Sequence, residues 1–286
     1  MAQVTLPNGV SMPALGFGLW SVPGGEKTYV AVRAALKAGF RHIDTAHRYQ
    51  NERSVGQALI DSGIPRDEVW LTSKLWIHEM GQGVAMKAIE KMLERMQVNY
   101  LDTVYIHQPY NDYLGAWKDL ETALKTGKVR SIGLSNFDFS DEIFSSVVDH
   151  CEIKPQLLQI ECHPYAQRKH WQDLCRHHNI QLESWYSLGG KPSNGALFSD
   201  PTIIQIAEAH HKTPPQVVIR WHIREGFSLL TGSTNPSHIR ENYSVFDFEL
   251  TKEEMESIRA LDKEQRFAVR TYEESYERIK KEVIVD

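Results

Sequence analysis

Short apolar runs alternate with longer amphipathic segments along most of the chain. The first runs predict a hairpin with strands at 4–6 and 10–12, joined by the turn Pro7-Asn8-Gly9. The later runs predict eight further strands, at 15–19, 42–45, 69–74, 103–107, 129–134, 157–161, 181–185 and 228–231. Helical patterns lie between them, for example at 28–38, 84–96, 114–126 and 214–224.

This alternation favours one closed (β/α)8 TIM barrel domain over residues 1–286, because parallel strands need crossover helices and no linker interrupts the series. An open doubly wound sheet is the alternative fold. A further C-terminal helix is predicted at 251–261, and a polar tail rich in Arg, Tyr and Glu begins at Arg266. Such a tail either folds over a site or packs on the surface.

The composition is that of a globular protein, with 41% hydrophobic and 24% charged residues and a formal net charge of -5. Basic residues are spread along the chain and form no stripe for nucleic-acid phosphates, so we expect a small-molecule partner instead. No apolar stretch approaches the roughly 20 residues that span a bilayer, and no targeting pattern occurs. We therefore predict no nucleic-acid or membrane partner, and a monomer or weak oligomer.

Cysteine and histidine spacings do not predict a metal site. Three cysteines form an odd set without a C-x-x-C pair, which indicates neither a disulfide framework nor a thiolate site; a reducing cytoplasm fits best. Two pairs of adjacent histidines, at 177–178 and 210–211, lie on predicted helices. Neighbouring side chains on a helix point to different faces, so neither pair is expected to bind one ion.

Polar side chains gather where three predicted strands end: Asp44 with Tyr49 just beyond it, Lys74, and His107. In a barrel of this type the active site lies at the carboxyl ends of the strands, so these residues should converge. Each alone also suits an ordinary role, such as a cap, a surface amine, a core histidine or loop packing. Together they indicate a proton donor, because a phenol with a pKa near ~10 needs a neighbouring cation to act near neutral pH.

In this hypothesis Lys74 stabilises the phenolate of Tyr49, and Asp44 keeps the lysine charged and oriented. His107 helps to position the substrate oxygen. An alternative is a Schiff-base aldolase in which a desolvated Lys74 attacks a carbonyl. That alternative leaves Tyr49 and Asp44 without a joint purpose.

These residues and their flanks resemble the aldo-keto reductase family over nearly the whole chain. The resemblance is carried by GFRHIDTA at 39–46 with Tyr49, by LTSKLW at 71–76 and by YIH at 105–107. It implies reversible, NADP-dependent reduction of an aldehyde or ketone to an alcohol. It also implies that the catalytic tetrad is Asp44, Tyr49, Lys74 and His107, with Tyr49 as general acid in reduction and general base in oxidation. A non-catalytic NADP(H)-sensing module on the same fold is a further alternative.

The resemblance extends to a nicotinamide site in SIGLSNF at 131–137 and LQIE at 158–161. It implies that Ser135, Asn136 and Gln159 hold the carboxamide of the cofactor. In ESWYSLG at 183–189 it assigns the aromatic ring that stacks on the nicotinamide to Trp185, and a one-residue shift to Tyr186 stays open.

The chain departs from the family near the expected adenosine phosphate. Two positions where NADP-binding members usually carry Lys and Arg are Gly232 and His238 here. A 2'-phosphate favours cations, so this change should weaken discrimination between NADP and NAD. Hydrogen-bond donors remain, and we expect NADPH/NADP with NADH possible. Further residues assigned to the cofactor in this segment are Ser233, Thr234, Glu241 and Asn242.

Four residues are candidates for the walls of a pocket that binds a small carbonyl substrate. Trp20 and Trp76 follow the first and third barrel strands, and Tyr110 follows the fourth. Gln108 stands where many relatives place a tryptophan, which makes that wall more polar. The tail beyond Arg266 is a further candidate.

Overall fold

The computed structural model describes residues 2–282 and 284. It begins with the predicted antiparallel hairpin, β1 (Gln3–Thr5) and β2 (Ser11–Pro13), in which Val4 pairs with Met12. Met12 packs with Trp70 and Leu157, which open two of the barrel strands. The hairpin therefore closes the amino-terminal end of the barrel and leaves the other end free for a site.

Eight parallel strands form a closed barrel in the order β10-β3-β4-β5-β6-β7-β8-β9, which confirms the predicted TIM barrel and excludes the open sheet. The largest shift from the predicted bounds is at β6, which begins at Leu101 rather than at 103. The strands are β3 (Leu15–Gly18), β4 (His42–Asp44), β5 (Trp70–Leu75), β6 (Leu101–Ile106), β7 (Val129–Ser135), β8 (Leu157–Glu161), β9 (Gln181–Trp185) and β10 (Ser228–Thr231).

Helices surround the barrel and turn apolar stripes inward. In α3 the buried residues include Ala85, Ala88, Ile89 and Met92, spaced three or four apart as an amphipathic helix requires. The helices are α1 (Glu26–Ala38), α2 (Glu52–Ser62), α3 (Val84–Met96), α4 (Tyr113–Lys125), α5 (Asp141–Val148), α6 (Lys169–His178), α7 (Pro201–Ala209), α8 (Pro214–Arg224), α9 (Pro236–Tyr243), α10 (Lys252–Arg259) and α11 (Tyr272–Ile279). Among the described residues, no helix has both the length and the apolar character that crossing a membrane requires.

The polar tail folds over the carboxyl ends of the strands. The backbone N–H of Phe267 donates to Glu161 at the end of β8, with N to O at 2.6 Å, and the guanidinium of Arg266 donates to the same carboxylate at 3.1 Å. Farther along, the hydroxyl of Tyr272 donates to the carbonyl of Pro109 at 2.7 Å. The tail therefore folds over the end of the barrel where a site is expected, and does not simply pack on the outer surface.

Candidate active site

A cavity of about 770 Å³ lies between the carboxyl ends of the strands and the tail. Most of the predicted site residues line it, although they come from distant parts of the chain. These lining residues are Trp20, Asp44, Tyr49, Trp76, His107, Gln108, Ser135, Asn136, Gln159, Trp185, Ser233 and Thr234. Lys74 lies just beneath the floor, where its side chain is 1% exposed.

Lys74 and Asp44 form a buried ion pair under this floor. The Nζ of Lys74 donates to Oδ1 of Asp44 at 2.5 Å and to the carbonyl oxygen of Thr45 at 3.0 Å. Burial by itself lowers the pKa of Lys74, but the charges of Asp44 and Tyr49 outweigh it and raise that pKa above 10.5. The lysine is therefore a fixed cation, held by a partner that cannot be removed without leaving a buried charge.

Tyr49 lies above this pair, at the end of a short 3-10 turn that follows β4. Lys74 Nζ is 5.3 Å from the centroid of its ring. Burial raises the pKa of Tyr49 above 10, and the charge of Lys74 offsets only part of that increase. The expected lowering by Lys74 is thus present, but its net effect is smaller than that of burial. The phenol keeps its proton at neutral pH and has a cation nearby to stabilise the phenolate.

The ring of His107, which follows β6, lies against Tyr49 with centroids 5.6 Å apart and planes at 79°. Burial, followed by the charges of Lys74 and Arg48, holds the pKa of His107 well below 6.5. The imidazole is therefore neutral. Its Nδ1 has no hydrogen-bond partner among the described residues. A neutral imidazole keeps one N–H and can donate it without adding a charge to the site.

A second buried carboxylate, Glu183 on β9, lies inside the barrel below the ion pair. The amide nitrogen of Gln159 donates to Oδ2 of Asp44 at 3.1 Å and to Oε2 of Glu183 at 2.7 Å. The hydroxyl of Tyr105 also donates to Glu183, at 2.8 Å. Burial raises the pKa of Glu183 above 4.5. We did not predict Glu183 or Tyr105; the available signal was a polar side chain within a buried strand, on β9 and β6 respectively.

Ser135, Asn136 and Gln159 lie side by side, as the predicted carboxamide site requires. The side-chain nitrogen of Asn136 donates to Oγ of Ser135 at 3.0 Å and to the carbonyl of His107 at 2.9 Å. Ser135 Oγ is 3.4 Å from Oε1 of Gln159. Because the nitrogen of Gln159 is held by two carboxylates, its oxygen is the atom left to accept a hydrogen bond from a bound amide.

Both candidate stacking residues line the cavity. The rings of Trp185 and Tyr186 are 4.8 Å apart at 69°, and Tyr186 also meets the edge of Trp20 at 5.4 Å. The indole nitrogen of Trp185 is buried and has no partner among the described residues. Tyr186 has a positive φ of 49°, which turns the chain out of β9 at this point. Stacking of Trp185 on the nicotinamide therefore stays a prediction, and Tyr186 stays the alternative.

The residues assigned to the adenosine end divide into two groups. Ser233 and Thr234 line the cavity, whereas His238 is exposed on α9. The Glu241 carboxylate accepts a hydrogen bond from the hydroxyl of Thr213, at 2.6 Å, and Asn242 is buried. Neither Glu241 nor Asn242 lines the cavity.

Gly232 marks a close approach between the ends of β10 and β3. A Cβ atom at this position would lie 2.7 Å from the carbonyl oxygen of Gly18. A lysine here would therefore require the backbone to shift.

Tyr110 lies behind the pocket wall and does not line the cavity, contrary to the expected position. Its hydroxyl donates to the carbonyl oxygen of Tyr272 at 2.9 Å, and their rings are 4.6 Å apart. Trp76 is also buried, but it borders the cavity and lies 5.0 Å from the ring of His107. Trp20 lines the rim and is 48% exposed. The tail thus takes the place at the wall that the sequence suggested for Tyr110.

Apart from Arg266, sequence reasoning did not single out the cations of the cavity wall. Arg48 lies immediately before Tyr49, Lys191 follows β9, and Arg270 and Arg278 come from the tail. The only signal was the richness of the tail in arginine. Nothing in its pattern showed which of these side chains would turn toward the cavity.

Comparisons with known proteins agree with this geometry. The sequence model of the aldo/keto reductase family matches residues 14–263. The 9,11-endoperoxide prostaglandin H2 reductase of Trypanosoma cruzi is 42% identical over 266 residues, covering 92% of this chain and 92% of that protein. The glyoxal reductase of Bacillus subtilis is 41% identical over 264 residues, covering 92% and 94%. A crystal structure of a mutant of Gox0644 in complex with NADPH matches with a TM-score of 0.84 and 36% identity, covering 91% of this chain and 93% of that one.

Proposed function

Because the chain belongs to the aldo-keto reductase family, whose members reduce carbonyl compounds, we propose that it reduces an aldehyde or ketone with NADPH and uses Tyr49 as the general acid. The observation that carries this proposal is the Lys74–Asp44 pair, with its 2.5 Å contact, directly beneath Tyr49 at the floor of the cavity. A fixed cation next to a protonated phenol is the arrangement that proton donation to a carbonyl oxygen needs.

The cavity suits a nicotinamide dinucleotide. Its volume of about 770 Å³ lies within the range of small-molecule and cofactor sites. Ser135, Asn136 and Gln159 offer donors and acceptors for a carboxamide, and the aromatic ring of Trp185 offers a face for a flat ring. Ser233 and Thr234 would contact the phosphates of the adenosine half. When bound, the reduced nicotinamide supplies the hydride.

The protein contributes orientation and a proton path. In this proposal the hydroxyl of Tyr49 gives its proton to the carbonyl oxygen as the carbonyl carbon accepts hydride, and Lys74 stabilises the phenolate that remains. The neutral imidazole of His107 donates a hydrogen bond to the same oxygen and fixes its position. In alcohol oxidation the phenolate of Tyr49 takes the proton back. The side chains of Lys74 and Asp44 are 1% and 3% exposed, and this burial strengthens each of these interactions.

The test is the initial rate of cofactor consumption with 4-nitrobenzaldehyde, measured with NADPH and separately with NADH for the parent and a Tyr49→Phe variant. We expect faster turnover with NADPH, and a fall in kcat of about 10² to 10⁴ in the variant, because one positioned proton donor contributes that much. Cofactor binding, followed by fluorescence, should persist in the variant.

Tyr100→Phe is the matched control, because Tyr100 lies just before β6 at the opposite end of the barrel. Turnover of Tyr49→Phe at the parent rate would overturn the role of Tyr49. A parent that binds both cofactors without turnover would instead favour a sensing module. Trapping of the protein on substrate by borohydride would favour a Schiff base at Lys74.

A further inference from the structure

Four arginines line the same cavity as Tyr49 and His107: Arg48, Arg266, Arg270 and Arg278. We propose, resting on the function proposed above, that the natural carbonyl substrate carries an oxyanion, a carboxylate or a phosphate, which Arg270 and Arg278 bind. These two side chains come from the tail, Arg270 just before α11 and Arg278 near its end. The tail therefore both covers the site and selects what enters it.

Their ion pairs distinguish Arg270 and Arg278 from the other arginines of the cavity wall. The guanidinium of Arg48 donates twice to Glu282, at 2.6 Å each, and lies 4.9 Å from the ring centroid of Trp76. Arg266, also at the wall, is paired with Glu161. Among the described residues, no carboxylate oxygen lies within 4.0 Å of a guanidinium nitrogen of Arg270 or Arg278.

Arg278 also lies close enough to Arg270 and Arg48 to be repelled by both. Burial, then the charges of Arg270 and Arg48, lower the pKa of Arg278, and Glu282 offsets only part of this. Tyr186 is close to the same charges. Burial raises the pKa of Tyr186 to about 12, and the charges of Arg270 and Arg278 offset part of that increase. Like charges without a carboxylate partner, as at Arg270 and Arg278, destabilise the site in the absence of a ligand, and a bound oxyanion would relieve their repulsion.

The chemistry of the wall fits such a ligand. A guanidinium presents parallel N–H donors that match a carboxylate or phosphate. Gln108 and Ser275 add uncharged polar groups at the same wall. Trp76 and Phe139 give apolar surface for the carbon skeleton between the oxyanion and the carbonyl.

The phosphates of the cofactor are the rival source of negative charge. The residues that we assign to them, Ser233 and Thr234, follow β10. The guanidinium of Arg48 lies 4.9 Å from the ring centroid of Trp76, whose ring lies 5.0 Å from that of His107. The cationic group therefore lies on the side of the reacting carbonyl. This location favours the substrate over the cofactor as the ligand of Arg270 and Arg278.

The experiment compares kcat/KM for 4-carboxybenzaldehyde and its neutral methyl ester, in the parent and in Arg270→Gln, Arg278→Gln and the double variant. We expect the parent to prefer the acid. We expect each single variant to lower the acid-to-ester ratio by about tenfold, mainly through KM, because a hydrogen bond to a charged group contributes that much. High salt, about 0.5 M, should lower the ratio of the parent as well. The pair glyceraldehyde 3-phosphate and glyceraldehyde tests a phosphate in the same way.

Lys118→Gln is the control for loss of one positive charge, since Lys118 is exposed on α4 outside the cavity. It should leave the acid-to-ester ratio unchanged. Equal ratios in parent and arginine variants for both substrate pairs would overturn the inference. So would a rise in the KM for NADPH with the neutral ester in the arginine variants, which would assign these cations to the cofactor. A parent that reduces neither acid nor ester would contradict the proposed function itself, whereas reduction of both without preference would contradict only the oxyanion site.

Discussion

Lys74 is a residue that we expect to affect both stability and activity. Its ammonium is buried against Asp44 at 2.5 Å, and Gln159 donates to the other oxygen of that carboxylate at 3.1 Å. A buried pair of this kind contributes little net stability, because desolvation offsets the attraction. The pair instead fixes a cation below Tyr49. Removing that cation leaves Asp44 buried without a partner and so lowers the free energy of unfolding.

We predict that Lys74→Met destabilises the protein by about 3–5 kcal/mol, because Asp44 is left as an uncompensated buried carboxylate. Adding Asp44→Asn should recover a large part of the loss in stability without restoring turnover, since the cation is still missing. Urea unfolding and the rate with 4-nitrobenzaldehyde measure the two effects. The prediction fails if the single variant unfolds at the same urea concentration as the parent, or if the double variant regains activity.

At the scale of elements, the end of β8 anchors the tail. The carboxylate of Glu161 accepts hydrogen bonds from Phe267, Ala268 and Arg266. Burial alone would raise the pKa of Glu161, but the hydrogen bonds from His163 and Phe267 and the charge of Arg266 outweigh it and hold the pKa below 4.5. The anchor thus contributes stability above the unfolded value near 4.5 and loses it as pH falls through the lower folded value.

We predict that Glu161→Gln lowers the Tm of the parent by several degrees at pH about 7, since lost hydrogen bonds to a charged group cost about 1–3 kcal/mol. The difference in Tm should shrink as the pH falls below 4.5, because the parent then protonates the same carboxyl. Thermal unfolding across pH, with cleavage of the tail by protease, measures this. Glu273→Gln, an exposed change in the first turn of α11, is the control. A difference in Tm that does not change with pH would contradict the anchor.

Elements also show what sequence could predict. The predicted bounds of β8, β9 and β10 agree with the structure to the residue, because each of these short segments stands out from the helical patterns on either side. The convergence of Asp44, Tyr49, Lys74 and His107 was predictable because strand ends in a barrel meet at one face whatever the loops do. The position of the tail was not predictable, because a polar segment has no hydrophobic periodicity to indicate which surface it packs against. Tyr110 was misplaced for the same reason: its direction is set by packing against Tyr272, 162 residues away.

For the molecule as a whole, net charge and local charge have opposite signs. The chain carries a formal net charge of -5, yet arginines surround the mouth of the cavity. A local cationic field of this kind attracts anionic ligands in spite of an acidic surface elsewhere. At the proposed adenosine end, Gly232 and His238 stand where a permanent cation is expected. In this proposal, recognition of a 2'-phosphate would depend on Arg240 and on uncharged hydrogen-bond donors on and around α9.

We predict that His238→Arg increases the preference for NADPH over NADH by about tenfold, because a guanidinium can bind the 2'-phosphate with parallel hydrogen bonds. His238 is exposed on α9, so the larger side chain needs no repacking of the core. The change appears as a larger rise in Tm with NADPH, since a ligand that binds only the folded state stabilises it by about 2.7 kcal/mol at 100 times its Kd. His211→Arg, an exposed substitution outside the cavity, is the control. If His238→Arg shifts Tm equally with both cofactors, α9 does not contact the 2'-phosphate, and the donors after β10 must account for any preference of the parent.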